Sequence, residues 1–289
     1  MIRRTYSFAG LDLQVELPVQ RGFSEGDRLA QFRTEQSSNA PLIRLTLADA
    51  LEAPAGEEIH NDGRVLVCKT PVSTVCYYLT ALGDWRFAFS QVEITDTSVM
   101  VQLNDNAFSG CVTSKVVLNA IGAEHLIARA GGFIFHCSYI DVGGKAVLFT
   151  APSGTGKSTQ ADLWQKYRNA DIINGDRAAV RICDGIPTAC GIPFAGSSQY
   201  CKNRDLPIAA IVYLSQAPEN TLRPMKGYEA FSRIWEGVSV NTWDKTDLEL
   251  VSAAVQTLAA QVPVFHLSCT PDESAVLTLE AALRKLEIL

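Results

Sequence analysis

One stretch constrains this chain more than any other. Residues 151–158 read A-P-S-G-T-G-K-S. They follow a short apolar run, Lys145 to Thr150, and precede a segment with helical packing residues, Thr159 to Tyr167. Strand, glycine-rich loop and helix in that order frame the phosphate-cradling pattern G-x-x-x-x-G-K-[ST]. Each part has a mechanical job. Gly154 and Gly156 lack a Cβ, so the backbone can curl and turn successive N–H groups inward. Lys157 can bring an ammonium to the outer phosphates, and Ser158 can offer a hydroxyl to Mg²⁺. The helix that starts beside Gly156 aims its positive end at the same anion. Ala151 stands where the pattern has its first glycine, the smallest replacement available. The expected nucleotide contacts are Ser153, Gly154, Thr155, Gly156, Lys157, Ser158 and Thr159.

The rest of the composition agrees with a large folded protein. Of 289 residues 47% are hydrophobic and 19% charged, enough apolar surface for a substantial core. A net charge of −6 argues against a general electrostatic grip on nucleic acid or an anionic membrane. No apolar run has the length of a membrane span, and the first twelve residues lack the apolar core of a signal peptide. The eight cysteines, Cys68, Cys76, Cys111, Cys137, Cys183, Cys190, Cys201 and Cys269, form no C-x-x-C pair. They read as buried free thiols in a reducing cytoplasm, with no zinc site.

Periodicity divides the chain near residues 105–110. Residues 1–105 read as a β-rich domain, with strands expected at Thr5–Ala9, Leu11–Leu17, Leu42–Leu47, Arg64–Lys69, Ser73–Leu79, Trp85–Ser90 and Ser98–Leu103. Turns are expected at Asn61-Asp62-Gly63 and Gly83-Asp84, and the polar stretch from Phe23 to Pro41 as a loop or short helix. Residues 106–289 alternate strands and helices. A helix is expected over Cys111–Ala130, then a hairpin of Phe133–Asp141 with Ala146–Thr150 across Gly143-Gly144. Further strands are expected at Ala170–Asn174, Ala178–Cys183, Pro187–Ile192, Leu206–Ser215 and Pro263–Ser268, and helices at Gly227–Gly237, Lys245–Ala260 and Asp272–Leu286. His125 reads as a packing or solvent residue, and Trp235 and Trp243 as core or lid residues.

Phosphoryl transfer needs more than a loop. It needs a carboxylate for the metal or the nucleophile, and positive charge for the moving group. Asp176, at the end of the strand Asp171-Ile-Ile-Asn-Gly-Asp176, can supply the carboxylate, either sharing Mg²⁺ with Ser158 or accepting the proton of an attacking hydroxyl. A plain β-turn aspartate is the alternative. Arg177 reads equally as a phosphate contact or an ion-pair partner. His136 lies on the strand before the loop and reads either as a proton-handling partner of that carboxylate or as a core histidine. Lys202 and Arg204, in the polar stretch Gly196–Arg204, read either as charge-neutralising catalytic residues or as a solvated loop.

Taken together, these elements resemble HPr kinase/phosphorylase and its relatives with a phosphoenolpyruvate-carboxykinase-like P-loop fold. The resemblance runs through His136, the hairpin from Val142 to Thr150, the loop Ala151–Ser158, the segment Ile172–Arg177 and the stretch Gly191–Ser198, and covers about residues 130–215. It implies an α/β (α+β) protein with a P-loop nucleotide-binding domain and a β-rich N-terminal part. It also implies ATP- and Mg²⁺-dependent phosphorylation of a hydroxyl, most typically serine. The implied catalytic residues are Asp176, His136, Lys157 and Arg204, and the implied metal ligands Ser158 and Asp176. The family has two consecutive aspartates where this chain has Gly175-Asp176. Residues 1–105 do not resemble the family's usual regulatory domain, so the expected substrate is a peptide or protein other than HPr, as for short relatives that phosphorylate lasso-peptide precursors. Two other readings stay open: a small-molecule or carboxykinase-like enzyme, and a nucleotide-binding sensor or scaffold without turnover. The phosphoryl donor (ATP, GTP or pyrophosphate) and the oligomeric state stay open as well.

Overall fold

A computed structural model describes residues 1–18, 28–35, 42–79, 86, 88–95, 98–106, 114–194, 196, 198 and 200–287. The expected turn at Gly83-Asp84, the positions Trp85 and Phe87 of an expected strand, most of the stretch 23–41, and Cys111, Ser197 and Gln199 lie outside them. The chain forms two compact units, Met1–Leu126 and Ile127–Leu289.

The first unit is a nine-stranded mixed sheet. Its strands are β1 (Ile2–Phe8), β2 (Leu11–Leu17), β3 (Arg33–Thr34), β4 (Leu42–Ala48), β5 (Glu57–Asn61), β6 (Val65–Lys69), β7 (Thr74–Tyr78), β8 (Ser90–Ile94) and β9 (Val99–Asn104), in the order β3-β1-β2-β4-β9-β8-β7-β6-β5. β1 and β2 form a tight hairpin in which Phe8 faces Leu11 across Ala9 and Gly10. Both turn residues have positive φ, 49° and 74°, as a two-residue turn matched to strand twist requires. β2 and β9 both run parallel to β4, and the other pairs are antiparallel. Leu13, Val15, Leu17, Leu45 and Leu103 are fully buried. The strand expected at Trp85–Ser90 instead begins at Ser90, where its residues pair with β7 and β9. β3 and β5 were not anticipated: one is two residues long, and the other is largely exposed and acidic, without an alternating apolar pattern.

The helix expected over Cys111–Ala130 is two helices, α1 (Ser114–Ile121) and α2 (Ala123–Arg129). Gly122 breaks it. Its φ is +60°, and a Cβ there would overlap the Tyr78 hydroxyl. α1 lies against β8 and β9, so the division between units falls inside α2, later than the composition change at 105–110.

The second unit carries a ten-stranded mixed sheet with helices on both faces. Its strands are β10 (Gly132–His136), β11 (Ser138–Val142), β12 (Lys145–Thr150), β13 (Asp171–Asn174), β14 (Arg177–Cys183), β15 (Ile186–Cys190), β16 (Asp205–Gln216), β17 (Thr221–Met225), β18 (Val238–Ser239) and β19 (Val264–Cys269). Its helices are α3 (Lys157–Arg168), α4 (Gly227–Trp235), α5 (Lys245–Gln261) and α6 (Glu273–Lys285). The expected strand Phe133–Asp141 divides at Cys137: β10 pairs with β14, while β11 pairs with β12 and β13. β16 is the spine, parallel to β12 and to β19 and antiparallel to β15 at its start. Its side chains alternate between two cores. Ile211 and Tyr213 pack with Ile234 of α4 and Val255 and Leu258 of α5. Ala210, Val212 and Leu214 pack with Ala161 and Trp164 of α3 and Leu279 and Leu283 of α6. Trp235 stacks on Phe231 with ring centroids 5.6 Å apart, a packing role. Helix ends follow local chemistry: Asp244 and Asp272 accept hydrogen bonds from the amides of Asp247 and Ser274 and so cap α5 and α6. The seven described cysteines are free thiols. No helix of the described residues is long and apolar enough to cross a membrane.

Candidate active site

β12 lies inside the sheet between β11 and β16, and Ala146 to Thr150 are buried. That anchors the start of the loop; Trp164 and Ala161, buried against the same core, anchor the helix after it. Between them the backbone turns at Gly154 (φ 77°) and Gly156 (φ 118°), angles that side chains rarely adopt. Ala151 is buried and is not among the residues with positive φ, so its side chain costs the loop no backbone strain. Gly156 precedes α3 with no side-chain cap, which leaves the first-turn amides to a ligand or solvent. Lys157 folds back on the loop: its ammonium donates to the Ala151 carbonyl at 2.9 Å and the Pro152 carbonyl at 3.3 Å. Burial lowers its pKa, and the charge of Asp176 opposes that shift. Gln216, at the end of β16, donates to the Thr155 carbonyl at 3.4 Å.

The second half of the site is the turn from β13 to β14. Asn174, fully buried, holds it: its side-chain oxygen accepts from the amides of Asp176 and Arg177, both at 3.0 Å. Its amide nitrogen donates to the Phe194 carbonyl at 2.8 Å and so draws the 192–194 segment alongside. The Gly175 carbonyl accepts from Ser138 at 3.1 Å and from Ser158 at 3.3 Å, tying β11 and α3 to the turn. Asp176 thus stands beside the loop. One carboxylate oxygen lies 3.2 Å from His136 Nε2, and the other accepts from Arg177 Nε at 3.3 Å. The His136 hydrogen bond, helped by the charges of His136 and Arg177, holds the Asp176 carboxyl below its usual range. The Arg177 guanidinium also sits 4.4 Å over the Phe194 ring.

Two glycines bring backbone close around this carboxylate. A Cβ on Gly175 would collide with the Ser198 side chain, and one on Gly196 (φ +51°) would come within 2.7 Å of Asp176 Cγ. A cavity of about 460 Å³ opens beside them, lined by Ser158, Asp162, Gly175, Asp176, Ser198 and Tyr200 with Ala161 and Ile172. Solvent reaches Asp162, yet the surrounding wall still raises its pKa by desolvation.

The structure brings together Lys157, Ser158, Asp176, His136 and Arg177. It does not bring Arg204 or Lys202 to them. Arg204 pairs with Asp141 at 2.6 Å, and Lys202 with Asp171. Those two aspartates face each other across β11 and β13, three residues and about 10 Å along the strand from Asn174. Sequence reasoning missed Asn174, Asp162, Ser138, Ser198 and Tyr200. Asp162 had a signal, its spacing of four residues from Ser158 on one helix; Asn174 had another, the Asn-Gly-Asp turn pattern. The serines and the tyrosine had none.

The family model of SynChlorMet cassette protein ScmC matches residues 113–280, more than half of the chain. The chain belongs to the ScmC family. Both halves of the site, the loop and the Asp176 turn, fall inside the ScmC match. ScmC is a family distinct from the HPr kinase group that the motifs resemble. No curated protein matches the chain in sequence. Among solved structures, the chain is similar to the Hpr(Ser) kinase/phosphatase from Coxiella burnetii, with 12% identity and a TM-score of 0.33 over 54% of this chain and 90% of that one.

Proposed function

We propose that the second unit is a phosphotransferase that moves the terminal phosphoryl group of a nucleotide, ATP in the first instance, to a hydroxyl. One observation carries this reading: Ser158 of the glycine-rich loop and Asp176, paired with His136, line one cavity. Lys157 and the uncapped amides of α3 offer positive charge to the phosphates. Ser158 and the anionic Asp176 are a hard oxygen donor pair of the kind a Mg²⁺ ion takes, and the ion would neutralise developing phosphate charge. In transfer, the acceptor oxygen bonds to the terminal phosphorus as the bond to the nucleoside diphosphate breaks. The hydroxyl proton passes to the His136–Asp176 pair, whose Nε2 and carboxylate oxygen stand 3.2 Å apart. Lys157 must leave the Ala151 and Pro152 carbonyls to reach the phosphates.

A serine or threonine hydroxyl of a peptide or protein is the acceptor this reading favours. The alternative of nucleotide binding without turnover draws support from Gly175, which leaves a single carboxylate on the turn. The deciding experiment incubates the protein with Mg²⁺ and γ-labelled ATP in a desalted extract supplemented with small metabolites, with Lys157→Ala as control. Label on a peptide or protein that depends on Lys157 is the expected result, with transfer in the variant reduced at least about a hundredfold. Label on a small molecule would move the acceptor to a metabolite. Bound nucleotide with no label anywhere would favour the sensor reading, and equal transfer by Lys157→Ala would sink the assignment.

A further inference from the structure

The cavity beside Ser158 has a wall that phosphoryl transfer itself leaves unused. Asp162 stands four residues after Ser158 on α3, one turn along the same helix face. Asp162 lines the cavity with Asp176, and among the described residues no hydrogen bond or ion pair engages its carboxylate. Asp176, by contrast, is held by His136 and Arg177. No lysine or arginine is among the described lining residues. Of the two nearby cations, Lys157 turns onto loop carbonyls and Arg177 pairs with Asp176 while lying over Phe194, so Asp162 is the lining carboxylate left without a cation. Ser158, Ser198 and Tyr200 with Gly175, Ala161 and Ile172 complete the wall.

At about 460 Å³ the cavity falls within the usual range of small-ligand sites. Its charge is one-sided. An acceptor with a carboxylate or phosphate next to its hydroxyl would meet the unpaired charge of Asp162, whereas a neighbouring cation would find in it an unengaged carboxylate, Asp176 being already held by His136 and Arg177. We infer that this cavity takes an acceptor whose hydroxyl lies next to a cationic group, and that Asp162 selects for that positive charge. In a peptide this means a serine or threonine flanked by lysine or arginine; the same chemistry is present in a free amino alcohol. The inference rests on the phosphotransferase reading of this site.

The test uses the full chain and serine-containing hexapeptides with lysine, glutamine or glutamate at each flanking position, plus ethanolamine as the free amino alcohol. Binding by competition against a fluorescent lysine-flanked peptide, and transfer from γ-labelled ATP, are measured separately for the wild type, Asp162→Asn and Asp162→Lys. Circular dichroism checks that each variant folds. The wild type should prefer lysine-flanked over glutamate-flanked peptides by about fivefold. Asp162→Asn should level that preference and Asp162→Lys reverse it, with the change in KM rather than kcat. Ethanolamine competing better than any peptide would make the acceptor a free amino alcohol and keep the inference. Charge-selective binding that tracks residue 162 without transfer would keep the charge selection by Asp162 and remove the phosphotransferase reading on which the acceptor role rests. A preference indifferent to residue 162, no binding of any probe, or an effect of Asp162→Asn confined to the Mg²⁺ requirement would overturn it.

Discussion

At the scale of single residues, the site depends on where side chains are absent as much as on where they are present. Gly175 packs against Ser198, and Gly196 against Asp176. Adding a carboxylate by Gly175→Asp should therefore lower stability and activity together. Pairing it with Ser198→Gly should recover part of the stability, because the colliding atoms are gone; equal melting temperatures for the single and double variants would show that the contact does not matter. The pH dependence of Asp176 has a definite sign. Its folded pKa lies below the ordinary value of 3.8, so its contribution is fully present above that value and is lost as the pH falls through the folded pKa. Asp176→Asn should melt below the wild type at neutral pH, and the gap should close in acid below 3.8. A gap that widened in acid would mean that the His136 contact does not govern the carboxyl.

At the scale of elements, α3 is positioned by its buried face and not by its cap. Trp164 is fully buried in the core shared with β12, β16 and α6. Trp164→Ala should cost about 3–5 kcal/mol and weaken nucleotide binding with it, because the helix that carries Lys157 and Ser158 loses its anchor. Denaturant unfolding and nucleotide titration on one sample check both effects. Element boundaries were legible where a local signal existed. The helices expected at Lys245–Ala260 and Asp272–Leu286, the glycines of the loop and the long apolar run of β16 each lie close to their observed ends. Boundaries set by distant contacts were not. Gly122 looks like an ordinary helical position until Tyr78 is placed against it. Cys137 looks like mid-strand until its amide is seen donating to the Asp176 carbonyl, which parts β10 from β11.

At the scale of the whole molecule, each unit has its own sheet and its own apolar cluster. A fragment of residues 123–289, which keeps α2 whole, should fold with native circular dichroism and bind nucleotide as the full chain does. A fragment that is unfolded or fails to bind would show that residues 1–122 complete the second unit. Sequence alone determined the strand–loop–helix order around residues 151–158, the glycines that the loop's left-handed angles demand, and the chemistry that Lys157, Ser158, Asp176 and His136 can offer, because each follows from local backbone freedom or side-chain type. Only the tertiary structure decided which of those groups meet. Arg204 and Lys202 share the residue type that phosphate binding needs, yet the strand register delivers them to Asp141 and Asp171. Asp162, an ordinary helix-surface aspartate in the sequence, becomes part of a cavity wall because Ile172 of β13, Ser198 and Tyr200 line the same cavity. Proximity between distant segments is set by pairing register and core packing summed over many residues, and no short window of sequence contains that sum.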